Sequence, residues 1–391
     1  MRTLTTPMPE VQAGTHCLFA SLRSIYEALG ESVTETELYF RCGGMLVEHS
    51  SAQPYRIGRS GEAMMEELAK HAGRPLTYTF KPDELQEGRL LPALEQALLR
   101  GEPVLLFVHS GCLDRCHEVY RENPSRPHVI CLNGLDRTAG SAYIIDSFLL
   151  DMSGQALTYQ GPVPLRRLLG GIYGAGFVGK SPYAGRSGAV SPGAGRGRIA
   201  AAGDDSARTA AGALGAAARR SADQEEGLRL AASRIREYLE SPAHATVPAQ
   251  APDEALGYSG EAAYLRFFEA LQETAELPDP AFAETCREVY YGLRIGGVMH
   301  MLLYLQELVS EHPEAFPETG KEWIRELEEE QLCWRKYLLQ LYKIGLKLQK
   351  EQWKPLLERG EERMLRLSGM LRTLAAELDT ALHRAAKNRQ D

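Results

Sequence analysis

The sequence has no Cys-X-X-Cys pair, no long apolar run, no excess of basic residues and no fixed-period repeat. Each absence removes a class of function. Seven cysteines, at positions 17, 42, 112, 116, 131, 286 and 333, form an odd and irregular set rather than a disulfide framework. Cys112 and Cys116 have no second pair to complete a structural zinc site, so free thiols, no metal and no cofactor are expected. The longest apolar stretches, such as Val104–Val108, fall far short of the ~20 residues that cross a membrane. The first seven residues, Met1-Arg-Thr-Leu-Thr-Thr-Pro, lack the apolar core of a signal peptide. The expectation is a cytosolic protein with no membrane partner. A formal net charge of −8 provides no general basic face for phosphates, so no nucleic-acid partner is expected either.

What is present is the composition of an ordinary globular chain. It has 391 residues, 44% of them hydrophobic and 25% charged, enough for two domains with a sizeable core. Residues 184–222 stand apart, with 14 Ala and 8 Gly and no aromatic side chain. Such a stretch buries too little apolar surface to offset its ordering entropy. It is expected to be a flexible linker, with an Ala-rich helical tendency near Thr209–Arg220, between domains at 1–183 and 223–391.

The first domain mixes helix and strand signals. A helix is predicted from Cys17 to Leu29, stopped by Gly30. Thr34-Glu-Thr-Glu37 fits a capping box, and Ser60 can cap a helix ending near Gly73. Leu76–Phe80 reads as a strand and Pro92–Arg100 as a helix. Val104–Val108, His128–Leu132 and Ala142–Asp146 then read as strands that can meander. Helices followed by such strands predict an α+β domain. The second domain is expected to be an all-α helical bundle, with helices at Gln224–Leu239, Glu261–Glu276, Phe282–Val309 and Lys321–Gln352. In a last helix, Leu357, Met364, Leu367, Leu371, Leu374, Leu378 and Leu382 recur at helical steps and form one apolar stripe.

Three stretches carry candidate chemistry. Cys17 sits at a helix start, where unpaired N–H groups and the helix dipole favour an anion. A thiolate there is a nucleophile, although a small buried cysteine is the plainer reading. His128 opens one strand and Asp146 closes the next. In an antiparallel hairpin they lie at the same open end, where the carboxylate can hold one imidazole nitrogen and leave the other for the thiol. Other residues fit plainer roles. His109 and His117 are loop residues, Asp136 is turn chemistry, and Met299-His-Met301 falls inside a helix, where the methionines read as core rather than as a metal site. Glu328–Glu330 forms a solvated helix face. Gly170-Gly171 and Gly174-Ala-Gly176 lack the strand–helix context of a nucleotide loop.

The order Cys, His, Asp on these elements resembles the papain-like arrangement, and in particular the bacteriocin-processing peptidase pattern. Gln12, five positions before Cys17, resembles the oxyanion-hole glutamine of those enzymes, where the commonest gap is six. A closer resemblance is to the butirosin biosynthesis protein H family. It rests on His16-Cys-Leu-Phe-Ala-Ser-Leu-Arg23, on Cys42-Gly-Gly44, on Arg56-Ile-Gly-Arg59, and on the His128, Gly134-Leu-Asp136 and Asp146 segment. That family joins a papain-like domain to a helical one, which residues 225–382 match in length and periodicity; the 184–222 insert is a departure. The resemblance implies transfer of an aminoacyl group from an acyl carrier protein, or another thioester donor, to a small-molecule amine acceptor in secondary-metabolite assembly. It gives Cys17 the role of nucleophile, His128 that of base, and Asp146 that of orienting carboxylate. Gln12 joins the Cys17 N–H as an oxyanion donor. His16, Arg56 and Arg59 are the candidate substrate-binding residues. The acidic net charge suits a cationic acceptor, whereas an acidic carrier needs a local basic patch, such as Arg115, Arg121 and Arg126 or Arg56 and Arg59. Two alternatives stay open: a peptidase or amidase with the same triad, and a non-catalytic binding module on the same fold.

Overall fold

The computed structural model describes residues 3–122, 125–150, 156–179, 224–241 and 257–387. The linker expected at 184–222, with its Ala-rich stretch, lies outside the described residues.

The first segment runs β1 (Leu4–Thr5), α1 (Cys17–Ala28), α2 (Glu35–Arg41), β2 (Glu48–Ser50), α3 (Gly61–His71), β3 (Leu76–Thr79) and α4 (Glu87–Leu99). It continues through β4 (Val104–His109), α5 (Glu118–Glu122), β5 (Pro127–Asp136), β6 (Ser141–Leu150), β7 (Ala156–Pro164), α6 (Leu165–Gly171) and β8 (Ile172–Val178). The N-caps form where the sequence predicts them, although the Glu37 carboxylate pairs with Arg41 rather than closing the box. Thr34 Oγ1 accepts the Glu37 N–H and Ser60 Oγ accepts the Ala63 N–H, each at 3.1 Å. Helix α4 starts five residues before Pro92, the predicted start. Leu90 and Leu91 lie one turn ahead of Leu94 on the buried face, and their burial offsets the hydrogen bond that a proline omits.

The sheet is antiparallel in the order β3-β8-β4-β5-β6-β7, with β1 added beside β5. Strands β5 and β6 form the expected hairpin, but it is longer than predicted. Pairing continues to Asp136 opposite Ser141, across an irregularity between Leu132 and Gly134. Strands β7 and β8 were not predicted, and glycines in β8 hide its pattern. The strands alternate between two cores. Leu105, Phe107, Val129, Cys131 and Ile145 face α1 and α2, whereas Val104, Leu106, Ile130, Leu132 and Ile144 face α4 and α6.

The second segment is helical, with one short strand: a helix over 224–240 (α7), β9 (Gly257–Ser259), α8 (Gly260–Ala270), α9 (Asp279–Arg294), α10 (Val298–Glu311), α11 (Gly320–Lys347) and α12 (Trp353–Lys387). The single helix expected over Phe282–Val309 is two helices. Gly296 adopts φ +82°, a left-handed conformation that breaks the run and turns α10 away from α9. The predicted helix Glu261–Glu276 breaks at Leu271 into α8 and a 3₁₀ turn, and Leu348 in the left-handed region ends α11 before Gln352. Glu330 corrects the expected solvated face: it is 1% exposed and pairs with Arg363 and Arg366, at 3.4 and 3.8 Å.

The two segments share one apolar cluster. Phe19, Tyr39 and Met45 of the first pack in the same core as Tyr264, Phe267 and Tyr304 of the second. They also share a small sheet, in which β2 pairs with β9, Glu48 opposite Ser259 and His49 opposite Tyr258. Among the described residues, no helix is long and apolar enough to cross a membrane.

Candidate active site

The site begins with the start of α1. His16 is its N-cap, and its Nδ1 accepts the Leu18 N–H at 3.2 Å. Leu18, Phe19, Leu22, Ile25 and Tyr26 bury one face of the helix, so Cys17 is left half-exposed at its tip. There its own N–H has no helical acceptor.

His128 and Asp146 come from adjacent strands. Pairing of Cys131 with Ile145 places Asp146 opposite Ile130, one diagonal step from His128 on the same face. His128 Nε2 lies 2.6 Å from Asp146 Oδ2. With Nε2 committed, Nδ1 is the nitrogen left for the thiol, and Cys17 stands near enough to favour a proton on His128. Thus the three residues singled out in the sequence converge: helix tip, strand start and strand middle.

Asp146 is fully buried and saturated. Its Oδ2 also accepts the Tyr120 hydroxyl, and its Oδ1 accepts the Phe148 N–H at 3.0 Å. Burial opposes its charge, but His128, the Tyr120 hydroxyl and the Phe148 N–H outweigh that and hold the carboxyl below its ordinary value. Burial likewise opposes a charge on His128. The Asp146 carboxylate and the Cys17 sulfur prevail and raise the imidazole well above its ordinary value. His128 therefore sits between a carboxylate and a sulfur, both of which favour a proton on the imidazole. Tyr120 had no signal in the sequence. It enters the site from α5, whose position relative to β6 only the tertiary fold sets.

The loop ahead of Cys17 is held from several sides. Gly14 N–H donates to the Ser147 carbonyl at 2.8 Å, which ties the loop to the strand residue next to Asp146. A Cβ on Gly14 would collide with Ala20 and Glu35, so glycine alone permits that approach. Glu35 is buried and accepts from the Thr15 N–H at 3.0 Å and from Arg23 at 2.6 Å. Two residues of α10 complete the support. Tyr304 Oη lies 2.7 Å from Thr15 Oγ1, and His300 Nε2 donates to the Thr15 carbonyl at 2.9 Å. In the sequence only the methionines flanking His300 read as bundle core. His300 is 7% exposed, and its ring lies 5.0 Å from that of His16.

His16 itself is 6% exposed, and burial, then His300 and His128, hold it well below its ordinary value. Burial first, and then the nearby Cys17, raises the hydroxyl of Tyr173 on β8, whose ring lies 4.9 Å from that of His109. Arg126, two positions before His128, lies 3.5 Å over the Tyr291 ring of α9.

The remaining candidates lie elsewhere or face solvent. Gln12 is exposed, and its carbonyl accepts from Arg23 at 3.0 Å. Arg59 donates to the Cys42 and Gly43 carbonyls at 3.3 and 2.8 Å and pairs with Glu48, so its guanidinium braces the Cys42-Gly-Gly44 turn. Arg56, Arg115 and Arg121 are exposed. His117 caps α5 by accepting the Val119 N–H, and Asp136 accepts in its turn from Ala139 at 2.8 Å. Among the described residues, no group of three or more His, Cys, Asp or Glu is placed to hold a metal ion. Comparison with protein-family models, curated proteins and solved structures finds no match to this chain.

Proposed function

We propose that the chain is a cysteine-dependent acyltransferase built on a papain-like α+β unit with a helical domain, as its resemblance to the butirosin biosynthesis protein H family implies. One observation carries the reading: Cys17 at a helix tip stands beside a His128 that is itself held, through Nε2, by a buried carboxylate.

In this reaction Cys17 Sγ attacks the carbonyl carbon of an aminoacyl thioester, and its proton passes to His128. The oxyanion forms against the Cys17 N–H, with Gln12 as the second donor the resemblance implies. Collapse expels the donor thiol, which takes the proton back from His128. An amine then attacks the thioester on Cys17. His128 accepts the amine proton, collapse releases the amide, and the proton returns to the sulfur. Asp146 stays ionised and stabilises the imidazolium at each stage. The donor and the acyl-enzyme are both thioesters, so the first half-reaction is nearly balanced and keeps the acyl group activated.

Wild type and Cys17→Ala are each mixed with a panel of aminoacyl thioesters, with and without small polyamines, and followed by intact-protein mass spectrometry. The expected result is an acyl-sized mass gain on wild type alone that an amine discharges as amide. Discharge to the free acid at the same rate with or without amine would make the protein a hydrolase. No gain with any thioester would contradict the reading.

A further inference from the structure

His300 is a buried histidine that the reaction does not use, and both of its ring nitrogens are spent on backbone. Nδ1 accepts the Gly296 N–H at 2.8 Å and Nε2 faces the Thr15 carbonyl at 2.9 Å. An amide N–H only donates and a carbonyl only accepts, so these partners fix one neutral tautomer, with the proton on Nε2. Burial holds the imidazole at about 4, with the Arg294 charge acting in the same direction and the Thr15 carbonyl against it. The ring therefore stays a neutral donor to Thr15 across the physiological range.

Thr15 is two residues ahead of Cys17, and its carbonyl belongs to the peptide plane that enters His16. The next carbonyl, that of His16, is fixed by the Ala20 N–H at 2.9 Å. The Cys17 N–H shares that second plane. Fixing both planes gives the amide and the sulfur of Cys17 one direction, out of the helix tip. The first plane is fixed from α10, a part of the chain 285 residues away in sequence.

We propose that His300 is a positioning residue of the Cys17 centre: by donating Nε2–H to the Thr15 carbonyl it aims the Cys17 N–H at the developing oxyanion, which makes the helical segment part of the reaction centre. This rests on the reading of Cys17 as the acylated nucleophile. It separates two properties of one residue. Formation of a tetrahedral oxyanion needs the aimed amide, whereas alkylation of the sulfur has no oxyanion and does not.

Glutamine and asparagine divide the two bonds of a histidine. In His300→Gln the amide nitrogen reaches the place of Nε2 and keeps the donation to Thr15. In His300→Asn the shorter amide reaches the place of Nδ1, keeps the Gly296 bond, and leaves the Thr15 carbonyl unpaired. The full-length wild type and both variants are assayed for acylation by the glycyl thioester of N-acetylcysteamine and, separately, for alkylation of Cys17 by iodoacetamide. His300→Asn is expected to slow acylation about tenfold to a hundredfold, with alkylation within about twofold of wild type. His300→Gln is expected to restore acylation to within about threefold. Equal acylation of wild type and His300→Asn would overturn the proposal, and so would a loss that alkylation shares. A wild type that is not acylated at all would overturn the Cys17 reading and this proposal with it. Should His300→Asn fail to fold, Tyr304→Phe carries the test. Losing the hydroxyl on Thr15 Oγ1 is expected to slow acylation about threefold to tenfold with alkylation unchanged; unchanged acylation would overturn the proposal.

Discussion

Asp146 collects three donors on two oxygens: His128 and Tyr120 on Oδ2 and the Phe148 N–H on Oδ1. The carboxylate orients the imidazole, and Tyr120 in turn orients the carboxylate. Asp146→Asn keeps the shape but removes the charge and offers an amide hydrogen to the wrong tautomer, so the acylation rate is expected to fall by about a thousandfold or more. Tyr120→Phe removes one neutral-donor bond and is expected to lower the rate about tenfold, with a stability loss of about 1–2 kcal/mol. Acylation kinetics and urea titration of the two variants check the order. Acid sensitivity also belongs to single residues. Unfolded His300 binds a proton near pH 6.5 and folded His300 only near about 4. Between those values the unfolded state holds more protons, so the stability His300 contributes is present above about pH 6.5 and is lost as pH falls toward 4. His16, lowered for the same first reason, acts in the same direction. Glu311, raised to about 7 by burial and Glu307, acts in the opposite one. The difference between wild type and His300→Gln cancels the shared titrations. Wild type is expected to lose up to about 3 kcal/mol relative to the variant between pH 7 and pH 4, read as melting temperature against pH. A constant difference would contradict the assignment.

At the scale of elements, the sequence and the structure agree where the signal is local. The caps at Thr34 and Ser60, the start of α1, and the convergence of His128 with Asp146 were legible, because a cap, a helix face and a two-residue alternation need only neighbouring residues. What was missed depends on distant partners. Tyr120, Thr15 and Glu35 gain their roles from elements far away in sequence. Strand β8 was hidden by its glycines, and the extra length of β5 and β6 by an irregularity at Asn133. His300 carries no signal beyond the core-like methionines on either side of it; its two backbone partners are invisible without the fold. The break between α9 and α10 did have a signal, the Gly296-Gly297 pair, and that break delivers the Gly296 N–H to His300. Gly296→Ala places a Cβ in a left-handed conformation with open space around it, so strain alone is expected to cost about 1–2 kcal/mol. Denaturant unfolding measures it. A loss beyond about 4 kcal/mol would mean that packing, not backbone conformation, is what glycine serves there.

For the whole molecule, the shared core decides what the two segments are to each other. Phe19 and Tyr39 pack edge to face, Tyr39 stacks on Tyr304 at 4.6 Å, and β2 completes its sheet with β9. Residues 1–180 made alone would expose that apolar face to water. Such a fragment is expected to be insoluble, whereas co-expression of 1–180 with 223–391, with one half tagged, is expected to give a complex that purifies intact and acylates. Soluble, independently folded halves would contradict a common core. The seven cysteines provide the most direct test of the central claim, that Cys17 is the acylated nucleophile. Cys112, Cys116 and Cys333 are as half-exposed as Cys17, but none of them faces a histidine held by a carboxylate, and burial raises Cys112 and Cys116 to about 11. Brief exposure of the full-length protein to a substoichiometric aminoacyl thioester at neutral pH, followed by peptide mapping, lets all seven compete. Acylation confined to the Cys17 peptide is the expected result, and acylation spread over Cys112, Cys116 and Cys333 in proportion to their exposure would contradict it.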